Sequence, residues 1–118
     1  MSKKLKILIA SSEVSPFAKT GGLADVTGAL PGFLAKLEYD VRVITPKYKV
    51  TDTKKFKLKN IVSVFDVSIS NRLKSSSILE GKIKGKVPVY FIKNDDYYNR
   101  DELYGTPAGD YPDNGERF

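Results

Sequence analysis

The sequence has 118 residues, 41% of them hydrophobic and 29% charged, with a formal net charge of +6 and neither cysteine nor histidine. This is the balance of a globular chain whose single core buries roughly two-thirds of the unfolded surface, not of a disordered or membrane-embedded one. Without cysteine there are no disulfides or thiolate metal sites; without histidine the commonest general base, any Ser-His-Asp triad and the usual zinc ligands are excluded.

The lysines are scattered over 3–6, 47–59 and 82–93 with no recognisable nucleic-acid module, so the excess charge reads as solvated surface and no nucleic-acid partner is expected. No apolar run reaches the roughly 18–20 residues needed to span a bilayer. Met1-Ser2-Lys3-Lys4-Leu5-Lys6 leads straight into a strand pattern without a secretory core, which predicts a cytoplasmic chain with no membrane partner.

Leu5–Ala10 is aliphatic on both faces of the pleat, as in a buried parallel strand. Ser11–Thr20 then carries serines, Glu13 and Pro16, loop chemistry at the carboxyl end of a strand, where open α/β sheets place ligands. Glu13 has two readings, a loop carboxylate capping backbone N–H groups or a ligand contact.

The chain is organised around Lys19-Thr20-Gly21-Gly22-Leu23-Ala24-Asp25. Two adjacent glycines leave N–H groups uncovered by any Cβ at the start of a helix, and Lys19 adds a charge. An anion site and an ordinary tight turn both fit, since K-x-G-G matches neither the P-loop nor the dinucleotide fingerprint. The lack of G-x-G-x-x-G after the first strand also disfavours a nicotinamide enzyme.

From Gly22 the apolar positions Leu23, Val26, Leu30, Phe33, Leu34 and Leu37 trace one helix face, expected to pack on the sheet. Asp25 falls in the first turn, where it can complement the helix dipole or meet a ligand. Pro31 predicts a kink, or two short helices, around Gly28–Gly32.

Val41–Thr45, β-branched and closed by Pro46, completes a right-handed β-α-β unit and is expected to run parallel to the first strand. Lys47–Asn60 reads as a polar surface loop. Ile61–Ser70 and Arg72–Ile83 read as an antiparallel pair inserted on the parallel sheet, followed by a strong strand at Val87–Ile92.

The next loop, Lys93–Pro112, gathers Tyr97, Tyr98, Arg100, Tyr104 and Tyr111. Rings beside Arg and Asp suit a sugar, with tyrosines packed beneath a long loop as the competing reading. Tyr98 and Arg100 are the preferred candidates. Asp113-Asn114-Gly115-Glu116 has capping-box spacing and announces a helix of which only Arg117 and Phe118 follow, so the chain is expected to be a piece of a longer protein. An open sheet edge would then favour self-association.

The run from Lys6 to Tyr48, with S-S-E-V-S-P-F-A-K-T-G-G-L-A-D-V, G-A-L-P-G-F-L-A-K-L and D-V-R-V-I-T-P-K-Y, closely resembles the N-terminus of bacterial glycogen synthases and plant starch synthases. The likeness fades from Val50 to Ser77 and returns at R-D-E-L-Y-G and at Asp110–Phe118. It implies an α/β fold, Rossmann-like with the inserted antiparallel pair, forming residues 1–118 of an incomplete N-terminal half of a GT-B enzyme.

The implied reaction is transfer of glucose from ADP-glucose to the non-reducing end of an α-1,4-glucan such as glycogen, with retention and with no metal or cofactor. Lys19 matches the family lysine that meets the donor phosphates, with Gly21 and Gly22 allowing close approach. Glu13, Asp25 and Tyr98 match positions lining the cleft. The H-D-W histidine and the nucleotide-binding C-terminal half are absent from these residues, so the piece alone is expected to be inactive. A non-catalytic glucan-binding or assembly module is the alternative. Relatives have glycine where this chain has Glu38, so the helix stop is expected from Tyr39-Asp40.

Overall fold

A computed structural model describes residues 4–118; the leading Met1-Ser2-Lys3 considered above lies outside the described residues. Five strands, β1 (Lys6–Ala10), β2 (Asp40–Pro46), β3 (Lys59–Ile69), β4 (Arg72–Ile83) and β5 (Val87–Lys93), form one sheet in the order β1-β2-β5-β4-β3. The first three in that order are parallel, in register through Ile9, Val43 and Val89. β4 pairs antiparallel with β5 and β3 with β4, so the inserted pair lies where the alternating pattern puts it.

Helix α1 (Gly22–Lys36) crosses between β1 and β2 as one uninterrupted helix with Pro31 inside it. The split into two short helices does not occur. A proline removes a single ladder bond, and the ladder on either side carries the helix through.

The face that α1 turns inward also differs from expectation. Leu23, Val26, Leu30, Phe33 and Leu37 are 43–64% exposed, while Ala24, Thr27 and Pro31 are buried. The reason lies in the loop after β1, which wedges between helix and sheet. Ser15 N–H donates to Ala24 O at 3.0 Å, Thr27 Oγ1 donates to Glu13 O at 2.5 Å, and a Cβ on Gly28 would stand 2.6 Å from Ser15 O. Only small residues permit that approach, and Ala24, Thr27, Gly28, Pro31 and Ala35 make a helical stripe of their own.

Two loops were expected to behave differently. The helix stop is made by Glu38 itself, at φ 67°, with Glu38 N–H on Ala35 O and Tyr39 N–H on Leu34 O, the paired bonds of a Schellman ending. The 47–58 connection is no mere surface loop, because Tyr48 and Thr51 are almost wholly buried.

The main core joins Val14 and Phe17 of the loop to Val43, Ile83, Val87, Val89 and Phe91, with Phe17 edge-on to Phe91 and to Phe56. Each large side chain fully buried there contributes roughly 1.5–3 kcal/mol. The strand expected to be buried on both faces, β1, is instead an edge strand, with Leu8 61% exposed.

A second cluster, Ala18, Tyr48, Tyr97, Tyr98 and Leu103, lies beyond the carboxyl ends of β2 and β5. There the short helix α2 (Asp95–Tyr98) is capped by Asn94, whose side chain accepts from Tyr97 N–H. A two-residue ladder, β6 (Gly105–Thr106) with β7 (Gly109–Asp110), precedes α3 (Asn114–Arg117). Asp113 caps α3 without a side-chain bond, because its carboxylate holds Arg100 instead.

Candidate anion-binding turn

The parallel strands deliver the loop 11–20 to their carboxyl end, where Ser11 N–H still pairs with Ile44 O. The loop doubles back through Phe17 and Ala18 N–H bonds to Val14 O, and so brings Lys19-Thr20-Gly21 to the N-terminus of α1. Gly21 is extended, at φ −166°, and neither Gly21 nor Gly22 has φ in the left-handed region. A Cβ placed on either would meet nothing within 4 Å. No side chain caps the helix, so its first N–H groups are open to an acceptor.

Glu13 is only 4% exposed and has no cation partner among the described residues, yet its carboxylate is fully engaged. Oε1 accepts Thr20 N–H at 2.7 Å and Gly21 N–H at 3.3 Å; Oε2 accepts the Thr20 hydroxyl at 2.7 Å and the Tyr104 hydroxyl at 2.6 Å. Burial acts to raise its pKa, but the bonds from Tyr104, Thr20 and Gly21 together outweigh it and hold the group below the usual carboxylate range. Glu13 thus caps the turn's backbone from within.

Lys19 and Asp25 face each other outside. Lys19 Nζ donates to both carboxylate oxygens, at 2.7 and 2.9 Å, and both side chains are about half exposed. Such a pair is held by little, ~0–1 kcal/mol, and is readily exchanged for a stronger anion.

Tyr98 is buried, edge-on to Tyr48 at 5.7 Å, with its hydroxyl donating to Arg117 O at 2.5 Å. It reaches the turn region indirectly, through Tyr48, whose hydroxyl donates to Ser12 O at 2.6 Å, and through Phe118, which lies against Tyr104. Burial pushes both phenols up. Arg100 forks onto Asp113 at 2.8 and 2.7 Å, donates to Asp96 O and stacks on Tyr111, so its bonds stay within the 96–113 segment. Lys19, Gly21, Gly22, Asp25 and Glu13 are thus brought together, Tyr98 backs them at one remove, and Arg100 braces the loop.

Tyr104 was not singled out in the sequence, yet it is the side chain of the distal loop that touches the turn's own anchor. Burial first, and the Glu13 carboxylate next, push its pKa up to about 12. Its recurrence in R-D-E-L-Y-G was the available signal. An open groove of about 520 Å³ between Gly28, Phe33, Lys36, Lys84 and Val87 lies at the other end of the sheet and contains none of these groups.

A parallel β-α-β unit with ligand-facing loops beyond its strand ends defines the class, a Rossmann-like α/β fold. Comparison with known proteins makes it particular. The chain belongs to the starch synthase catalytic domain family, whose model matches residues 6–118. It is 47% identical over 114 residues to a glycogen synthase of Syntrophotalea carbinolica, covering 97% of this chain and 23% of that protein. It is 48% identical over 120 residues to glycogen synthase 1 of Geobacter metallireducens, covering 98% and 24%.

Among solved structures, the catalytic domain of Starch Synthase IV from Arabidopsis thaliana, bound to ADP and acarbose, superimposes with a TM-score of 0.79 at 27% identity, over 90% of this chain and 22% of that one. The fold is therefore that of the GT-B starch synthase catalytic domain. The chain spans about a quarter of the length of these relatives. Among the described residues no helix is long and apolar enough to cross a membrane.

Proposed function

We propose that this chain supplies the donor-phosphate turn of a glycogen or starch synthase, as part of the N-terminal half of a GT-B enzyme whose nucleotide-binding C-terminal half lies outside these residues. The reaction is transfer of glucose from ADP-glucose to the non-reducing end of an α-1,4-glucan, with retention of configuration. The observation that carries the reading is at Gly21 and Gly22. Neither backbone dihedral nor packing within the chain requires glycine there, so the open space above the turn is explained by something that approaches it.

A diphosphate suits that space. The uncapped N-terminus of α1 offers N–H donors and a positive dipole end, worth about 0.3–1 kcal/mol toward an anion. Lys19, released from Asp25, adds a charge-assisted bond of about 1.5–3 kcal/mol. The bond gains value as the leaving diphosphate accumulates charge, so it acts mainly on the transition state. Asp25 keeps the ammonium at the mouth of the turn, and Tyr98 and Arg100 support the sugar side of the cleft from the distal loop. ADP and acarbose in the Arabidopsis starch synthase structure support nucleotide and glucan ligands for this family.

Assembly with the C-terminal half is needed for turnover, so the piece alone is inactive. In a full-length synthase carrying this segment, Lys19→Ala lowers kcat/KM by at least ten times more than Lys4→Ala. Equal effects remove Lys19 from the site.

A further inference from the structure

We infer that Tyr104 is a positioning residue for the glycine turn: through its hydrogen bond to Glu13 it ties the loop after β5 to the Thr20 and Gly21 amides, and so sets the turn's readiness for phosphate. The inference rests on the reading of that turn as the phosphate site.

The geometry is a chain of short contacts between segments far apart in sequence. Tyr104 OH donates its only proton to Glu13 Oε2 at 2.6 Å, which leaves the Ser12 hydroxyl, 2.7 Å away, as the donor to Tyr104. Glu13 passes the constraint on through its three bonds to Thr20 and Gly21. Tyr104 is itself held in place by its backbone, with Tyr111 N–H and the Asn114 side-chain amide both donating to Tyr104 O, at 2.9 and 2.8 Å. Tyr104 also lies against Phe118, with ring centroids 5.7 Å apart.

A buried carboxylate with no cation beside it depends on every neutral donor it has. The ammonium of Lys19, on the same loop, is occupied by Asp25. Removing the phenol hydroxyl therefore leaves Glu13 with three donors, all from the turn. The carboxylate then either takes up a proton or moves toward water, and in both cases it stops fixing Thr20 and Gly21. The Gly22 and Leu23 N–H groups, which stay open for the ligand, lose their frame.

The test compares the wild-type chain with Tyr104→Phe and Glu13→Gln, with Tyr90→Phe as a control that deletes a phenol hydroxyl bonded, among the described residues, to Arg42. Three quantities are read by NMR: amide exchange, the acid titration of the Glu13 carboxyl, and the shifts caused by ADP. Tyr104→Phe is expected to speed exchange at Thr20 and Gly21 about tenfold while Val43 and Val89 keep wild-type rates, and to raise the Glu13 midpoint. Glu13→Gln gives the same pattern of exchange, and Tyr90→Phe changes nothing at the turn.

ADP affinity falls severalfold in Tyr104→Phe. Unchanged exchange at Thr20 and Gly21, or uniform acceleration across the sheet, overturns the positioning role. A wild-type chain that ignores ADP counts against the phosphate reading, while exchange and titration still decide the role of Tyr104.

Discussion

The two ends of this domain's surface contrast. Beyond the carboxyl ends of β2 and β5, polar groups and rings are closed on one another: Glu13 has four donors, Tyr48 and Tyr98 bond backbone carbonyls, and Arg117 lies over Tyr98, Tyr111 and Phe118. Along the β1 edge and the outer stripe of α1, Leu8, Leu23, Val26, Leu30, Phe33 and Leu37 face solvent with no such closure. The carboxyl end is thus organised by contacts among the described residues themselves, whereas the exposed outer stripe contributes little to their folding.

That contrast is broken or sharpened by substitution. The largest effect is expected from one chemistry placed at two sites. Phe91→Ala, which empties a wholly buried position, costs about 3–5 kcal/mol in denaturant unfolding, while Phe33→Ala on the open stripe stays within about 0.5 kcal/mol. Comparable losses at both positions would mean that the outer stripe is packed in solution, most simply by self-association.

Acid is expected to act next, on the closed end. Glu13 has a folded pKa below its ordinary value, so the unfolded chain binds the extra proton on acidification. Its contribution is complete above the ordinary carboxylate value and is lost as pH falls through the folded one. Glu13→Gln accordingly flattens that part of the stability curve, and an acid limb identical to wild type would contradict the burial and bonding described for it.

The smallest effect is at the helix stop. Glu38 holds a left-handed conformation that disfavours side chains, so Glu38→Gly is expected to raise stability by about 0.5–1 kcal/mol, read as a shift in the denaturant midpoint. A loss of stability there would mean that the Glu38 side chain has a role its exposure does not suggest.

Strand positions, the parallel β-α-β unit and the inserted pair were legible because alternation and β-branching mark strands whatever their neighbours are. The orientation of α1 was not. Two stripes with helical spacing coexist, and only the wedge of residues 13–18 beneath the helix decides that the small one faces inward. The glycine turn was legible as a motif with two meanings. That Glu13 caps it from inside, and that Tyr104 reaches it across about ninety residues, depends on tertiary contacts that no local pattern encodes. Asp113 shows the same limit, since its capping-box spacing is genuine but Arg100 takes the carboxylate.

On the function proposed above, the turn from Lys19 to Leu23 is a preformed diphosphate site. Its most direct test is an amide NMR titration of the chain with ADP, run beside Gly22→Ala, whose added Cβ meets nothing in the fold. Wild-type shifts are expected to concentrate at Thr20–Leu23 and on Lys19, and the Gly22→Ala chain to keep its stability but lose those shifts. Shifts that survive the added Cβ, or that fall elsewhere on the sheet, would contradict it.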